Sequence, residues 1–340
     1  MIDCHAHAFP TLSEMAEQLP PGVSDVIRAA LSPTAQAVAK EVTNLVPGAK
    51  RVKRLAKSVF DLTTRPPVTP SHPTGVAEMR AKLPTHIAQG LEYWSTINSA
   101  PRLFVEGNME QLLDSMDQNG IEKTVLIGAP PIANAEWVIE QSTVYPGRIV
   151  PVVNIPVFDD DAPEHAWTDE LSRLADQGAA GFKIHPNFDP YGEHHPAVRA
   201  VFEVAQQKNK FVILHTGCFG VATYIKHHPA EPAAYQHLFT AYPDVRVCLA
   251  HMNRENPERA WEMMRSHEQI FADTSWQTPA SIRAAVDAVG DDRILLGSDW
   301  PLLTLDLQKD SANNVRDGLG SELAEKITSR NARVFLGLDT

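Results

Sequence analysis

The chain has 340 residues, of which 43% are hydrophobic and 21% charged, and its net charge is -12. That acidity argues against nucleic acid and anionic membrane as partners; the length and apolar content suit one large α/β barrel with an insertion. The sequence contains neither a signal peptide nor an apolar run long enough to span a membrane, and its three cysteines, Cys4, Cys218 and Cys248, are far apart and read as reduced thiols, so a cytoplasmic location is expected.

The first strand carries Met1-Ile2-Asp3-Cys4-His5-Ala6-His7. His5 and His7 are two apart, so alternation points both imidazoles to one face, while Cys4 between them is turned away to pack against a helix. Residues 10–100 follow as an irregular, proline-rich region with helical stretches near 22–31 and 34–60. The second stretch carries the basic residues Lys50, Arg51, Lys53, Arg54 and Lys57, read as a solvated face. The region is too long for a plain loop and is expected to be an insertion or cap. Residues 1–9 and 101–340 then form the main domain.

From residue 107 the chain alternates regularly. Met109, Leu112, Leu113 and Met116 mark an amphipathic helix by their i, i+3, i+4, i+7 spacing. Apolar strands follow at Thr124–Gly128, Ile149–Asn154, Gly181–His185, Phe211–His215, Val245–His251, Ile270–Ser275 and Ile294–Asp299, with helical segments between them and a helical tail at 311–338. Eight continuous apolar strands flanked by helices predict a buried parallel sheet closed into a (β/α)8 TIM barrel. An open doubly wound sheet fits less well, because no Gly-x-Gly-x-x-Gly follows the first strand.

Polar residues interrupt these strands near their C-terminal ends, where a barrel forms its active site. They are His5 and His7 on the first strand, Lys183 and His185 on the fourth, His215 on the fifth, His251 on the sixth and Asp299 on the eighth. Converging on the barrel axis, they would leave costly buried polar groups unless something binds them, and a divalent metal would. His185, Asn187, Tyr191, Trp276 and Trp300 lie just beyond strand ends and are candidates for the substrate pocket.

The segments Ile2-Asp3-Cys4-His5-Ala6-His7, Leu214-His215-Thr216-Gly217, Leu249-Ala250-His251 and Gly297-Ser298-Asp299-Trp300-Pro301 resemble the strand 1, 5, 6 and 8 motifs of the amidohydrolase superfamily. The nearest group is the amidohydrolase-related branch that includes aminocarboxymuconate-semialdehyde decarboxylase, whose usual ending the tail Asn331-Ala332-Arg333-Val334-Phe335-Leu336-Gly337-Leu338 also resembles. The resemblance implies His5, His7, His215 and Asp299 as ligands of Zn2+, or of Mn2+ or another divalent transition metal. It implies Asp299 as the group that takes a proton from water, and His251 as the group that polarises substrate or orients that water in a one-metal site and binds the second metal in a two-metal site. Lys183 would be a bridging, carboxylated ligand if the centre is binuclear, and a substrate-binding residue if it holds one ion. After His251 the branch often has a glycine pair. This chain instead has Met252-Asn253-Arg254, and Arg254 is positioned to bind a carboxylate. The implied activity is hydrolysis of a small, acidic or cyclic substrate. The alternative is non-oxidative decarboxylation, or hydration of an unsaturated acid, at the same site. A homodimer is common in the branch.

Overall fold

The computed structural model describes residues 1–11, 14, 106–159, 162–217, 228–254, 256–302 and 305–338. The expected insertion at 10–100, with its basic cluster, lies almost wholly outside these residues, as does Cys218. The described chain is a (β/α)8 barrel. Its order is β1 (Ile2–Ala6), α1 (Met109–Asn119), β2 (Lys123–Ile127), α2 (Ala135–Val144), β3 (Ile149–Asn154), α3 (His165–Asp176), β4 (Gly181–Ile184), α4 (Pro196–Gln207), β5 (Phe211–His215), α5 (Gln236–Ala241), β6 (Val247–Ala250), α6 (Pro257–Ser266), β7 (Ile270–Asp273), α7 (Pro279–Val289), β8 (Ile294–Leu295) and α8 (Leu307–Leu319). Two short helices, α9 (Ser321–Glu325) and α10 (Asn331–Leu336), end it. No helix among the described residues is long and apolar enough to cross a membrane.

The eight strands are parallel and pair in sequence order. Closure between β8 and β1 is made by Cys4 N to Leu296 O at 2.8 Å, Asp299 N to His5 O at 2.7 Å and His7 N to Trp300 O at 2.6 Å. Asp3 pins this seam: it is fully buried and accepts from Ser298 N, Ser298 Oγ and Gln308 Nε2 at 3.0, 2.6 and 3.0 Å. Without those donors a carboxylate in this position would carry the full cost of desolvation. Burial still pushes its pKa up, to about 6.

Helix boundaries follow local chemistry. Asn108, Asn134 and Thr278 cap α1, α2 and α7 by accepting from Gln111 N, Trp137 N and Ser281 N. Gly120 ends α1 at φ 67°, a left-handed value that glycine adopts without penalty. Two apolar layers result. Val201, Phe202, Leu214, Leu249 and Met264 belong to the layer between helices and sheet. Ile2, Cys4, Ile127, Phe211, Ile213, Cys248, Phe271 and Leu295 fill the barrel interior, with Phe335 from α10 closing the bottom.

The place of Cys4 corrects the sequence expectation. It lies in the barrel interior, not against a helix, although His5 and His7 also face inward above it. Strict alternation cannot give both results. The register of β1 against β2 shifts between Asp3 and Ala6. A bulge there puts two consecutive residues, Cys4 and His5, on the same side.

Candidate metal centre and substrate cavity

The side chains of β1, β7 and β8 meet at the C-terminal mouth of the barrel. His5 Nδ1 donates to Asp273 Oδ2 at 2.9 Å and His7 Nδ1 donates to the carbonyl of Ile127 at 3.1 Å. Each bond fixes the tautomer and leaves Nε2 with its lone pair directed into the mouth. These two nitrogens stand 3.4 and 3.3 Å from Asp299 Oδ1. Donors held about 2.0–2.1 Å from a tetrahedral ion stand about 3.3–3.4 Å apart, so the set fits a divalent transition metal. Burial lowers the pKa of His5, with Lys183 adding to the effect, which keeps the imidazole neutral as a ligand must be. Asp299 is also buried, which by itself would raise its pKa, but His251, His5 and His7 outweigh burial and hold it well below the usual carboxylate range. Its second oxygen, Oδ2, accepts from Trp276 Nε1 at 2.6 Å.

A second donor group combines His5, His251 and Asp273. Asp273 is fully buried at the end of β7 and accepts from His251 N at 3.1 Å, Ser275 N at 3.0 Å and the Ser275 hydroxyl, besides His5. These contacts overcome burial and hold its pKa down at about 2. His251 Nδ1 donates to Ser275 Oγ at 2.7 Å, and His251 Nε2 accepts from His215 Nδ1 at 3.1 Å. Asn187 Nδ2 donates to His215 Nε2 at 3.3 Å. Both nitrogens of His215 are thus engaged with side chains, and His215 lies beside the His5–His7–Asp299 group without joining it.

Lys183 and His185 lie on the inward face of β4 and just beyond it, as period-two geometry requires, and both line the cavity. Lys183 is 1% exposed and its Nζ has no hydrogen-bond partner among the described residues. Burial lowers its pKa. Asp189, which also lines the cavity, accepts from His185 N at 2.6 Å, and burial pushes its carboxyl up to about 7. Arg254 lines the same cavity, with its guanidinium 5.5 Å from the centre of the Trp276 ring.

Two aromatic candidates and one amide sit away from the cavity wall. Trp300 is fully buried under β1 and α1 and donates its indole N–H to Leu305 O at 3.0 Å, so the expectation that it binds substrate is corrected: it is a core residue. Tyr191 is buried against Trp167, its hydroxyl accepting from Phe158 N at 3.1 Å, and Asn187 reaches the site only through His215. Asp273 was missed in the sequence, although it ends an apolar strand as His215 and His251 do. Backbone strain marks the same region. Seven non-glycine residues among those described have positive φ, and six of them, His251, Met252, Asn253, Arg254, Trp276 and Asp299, fall in the loops after β6, β7 and β8.

A parallel (β/α)8 barrel with two histidines on β1 and an aspartate after β8, converging at the strand ends, defines a class of metal-site barrels. The chain matches the amidohydrolase family model over residues 2–338 and belongs to that family. The family usually uses a divalent metal and acts on small molecules. Among solved structures it is similar to 2,6-dihydroxybenzoate decarboxylase from Rhizobium, at 20% identity over 71% of this chain and 92% of that one, with a TM-score of 0.57. It is also similar to 4-oxalomesaconate hydratase from Rhodopseudomonas palustris, at 15% identity over 99% of this chain and 95% of that one, with a TM-score of 0.54. A probable 2-pyrone-4,6-dicarboxylic acid hydrolase from Acinetobacter baumannii matches at 15% identity over 68% and 90%, with a TM-score of 0.50.

Proposed function

We propose that the protein is a metal-dependent hydrolase acting on a small organic acid. The observation that carries the acid substrate is Lys183: a buried amine without a hydrogen-bond partner among the described residues, on the wall of the cavity that holds His5, His7 and Asp299. An ammonium in that position is costly until an anion meets it, and a substrate carboxylate supplies one. His5, His7 and Asp299 would hold the ion, zinc or manganese by the donor chemistry. A divalent ion there acts as a Lewis acid and eases deprotonation of water.

The protein's own groups do the rest. Asp299 accepts a proton through one oxygen while Trp276 holds the other, so the carboxylate keeps its orientation as it takes the proton and returns it to the leaving group. His251 faces the cavity with Nδ1 bonded to Ser275 and Nε2 to His215; protonated at Nε2, with the bond to His215 exchanged for one to substrate, it would orient the reacting carbonyl. Lys183 and Arg254 grip the acid, and His185 packs beside it.

Decarboxylation or hydration of an unsaturated acid is the second reading. The same lysine favours it, and the fold is shared with proteins named for both reactions. The two readings separate in 18O-labelled water. Metal-supplied protein is incubated with a panel of lactones, amides and aromatic or unsaturated acids. Hydrolysis puts label into a new carboxylate, and Lys183→Met raises KM most for the anionic substrates. Carbon dioxide release without label in the product would replace the first reading with the second.

A further inference from the structure

The cavity is divided by chemistry. His5, His7, Lys183, His251, Arg254 and Asp299 occupy the side formed by β1, β4, β6 and β8. A second part of the lining is built by the loops after β2, β3 and β4 and includes Pro130, Pro131, Pro156, Val157, Phe188 and Pro190. Four of these six are prolines, which have no N–H to offer a ligand and a fixed φ. Three acidic residues share this wall: Glu136 and Glu170 both accept from Arg173, at 2.8 and 2.7 Å, and Asp189 accepts from His185 N at 2.6 Å while burial raises its pKa to about 7. Val157 and Phe188 are 67% and 57% exposed, and they are two of the four large apolar side chains left exposed among the described residues. Apolar groups exposed at a cavity rim mark something that covers them.

Size points the same way. The cavity measures about 910 Å3, near the top of the range of about 300–1,000 Å3 that holds drug-sized ligands. A single carboxylated ring fills only part of that volume.

We infer that the substrate is an amphipathic acid, with its carboxylate at Lys183 and a hydrophobic arm of several carbons lying on the Pro130–Val157–Phe188 wall. The head-group half of this inference rests on the proposed function; the arm rests on the wall alone. The wall is rigid through its prolines, so an arm binds there with little ordering of the protein.

The test uses three probes on the full chain supplied with zinc: benzoate, 4-butylbenzoate and 4-butylbenzyl alcohol, titrated calorimetrically. A fully buried methylene strengthens binding about fourfold, so a partly buried butyl arm should give at least a tenfold gain over benzoate. In Val157→Asp and in Phe188→Asp, both at exposed positions that tolerate a charge, the ratio of the two affinities should fall toward one. Equal or weaker binding of 4-butylbenzoate, or a gain that both variants leave intact, overturns the inference. If the alcohol binds as tightly as the acid, the arm stands and the acid reading fails. If benzoate binds and the arm adds nothing, the acid reading stands and the arm fails. If none of the three binds, both fall.

Discussion

Asp189→Asn should make the protein's stability less sensitive to alkali. The carboxyl of Asp189 sits at the cavity wall and accepts from His185 N at 2.6 Å, which an asparagine oxygen can equally do. Burial is the largest influence on it and raises its pKa from the ordinary 3.8 to about 7, against smaller opposing effects of His185 N–H and Lys183. Because the folded value is the higher one, its contribution to stability is complete below pH 4 and is lost as pH rises through 7. Across that window the unfolded chain gives up its proton first, so folding stability falls by about 1.4 kcal/mol per pH unit, about 4 kcal/mol in all. Asparagine carries no charge to bury and should remove that loss. Urea unfolding followed by tryptophan fluorescence, with chelator present, at pH 5, 6, 7 and 8, reads it directly. The variant should gain on the wild type by a few kcal/mol between pH 5 and pH 8. A stability difference that is the same at all four values would refute the reasoning, because it would mean Asp189 ionises in the fold as it does in water.

Three further outcomes follow from the geometry of the centre. Asp273→Asn loses the charge that orients His5 and should weaken metal binding about 10- to 100-fold in a chelator-competition titration; unchanged affinity would show that Asp273 does not orient the ligand. Trp276→Phe keeps a ring beside Arg254 but removes the 2.6 Å donor to Asp299. A hydrogen bond to a charged group is worth about 1.5–3 kcal/mol, so kcat should fall roughly 10- to 100-fold with KM little changed, measured on whichever substrate the panel identifies. Gly297→Ala places a Cβ 2.7 Å from Asp273 Oδ1; because Asp273 is fixed by its donors, stability should drop by about 1–3 kcal/mol in a denaturant titration and metal affinity should drop with it.

The sequence exposed the barrel because parallel strands buried on both faces read as unbroken apolar runs. All eight runs lie within a few residues of the observed strands. The inward histidines and Lys183 were legible because each breaks such a run where the run should end. Four features were not. The bulge in β1 has no local signature, so Cys4 was placed on the wrong side by an alternation that holds elsewhere. Asp273 looks like any turn aspartate until His5, 268 residues away, is seen to donate to it. Trp300 follows Asp299 directly, yet the left-handed backbone of Asp299, at φ 60°, is followed by a side chain that packs into the core. The apolar wall was invisible for another reason: its prolines, Val157 and Phe188 come from three separate loops and share no period.

The seam held by Asp3 also sets the order in which the site can be made. Asp3 and Ser298 are 295 residues apart, and the two sides of the donor group ride on the strands that seam joins. Strands β2 to β8 can stack one after another through neighbours close in the chain, but β1 must pair with β2 across the long segment between Ala6 and Lys123 and with the chain after β8, the most non-local contact in the barrel and the slowest kind to form. His5, His7 and Asp299 cannot come together as a donor group until that contact exists. An ion held by the proposed site would bind only the closed ring and so would favour closure by mass action, making metal supply during folding a latch on the barrel.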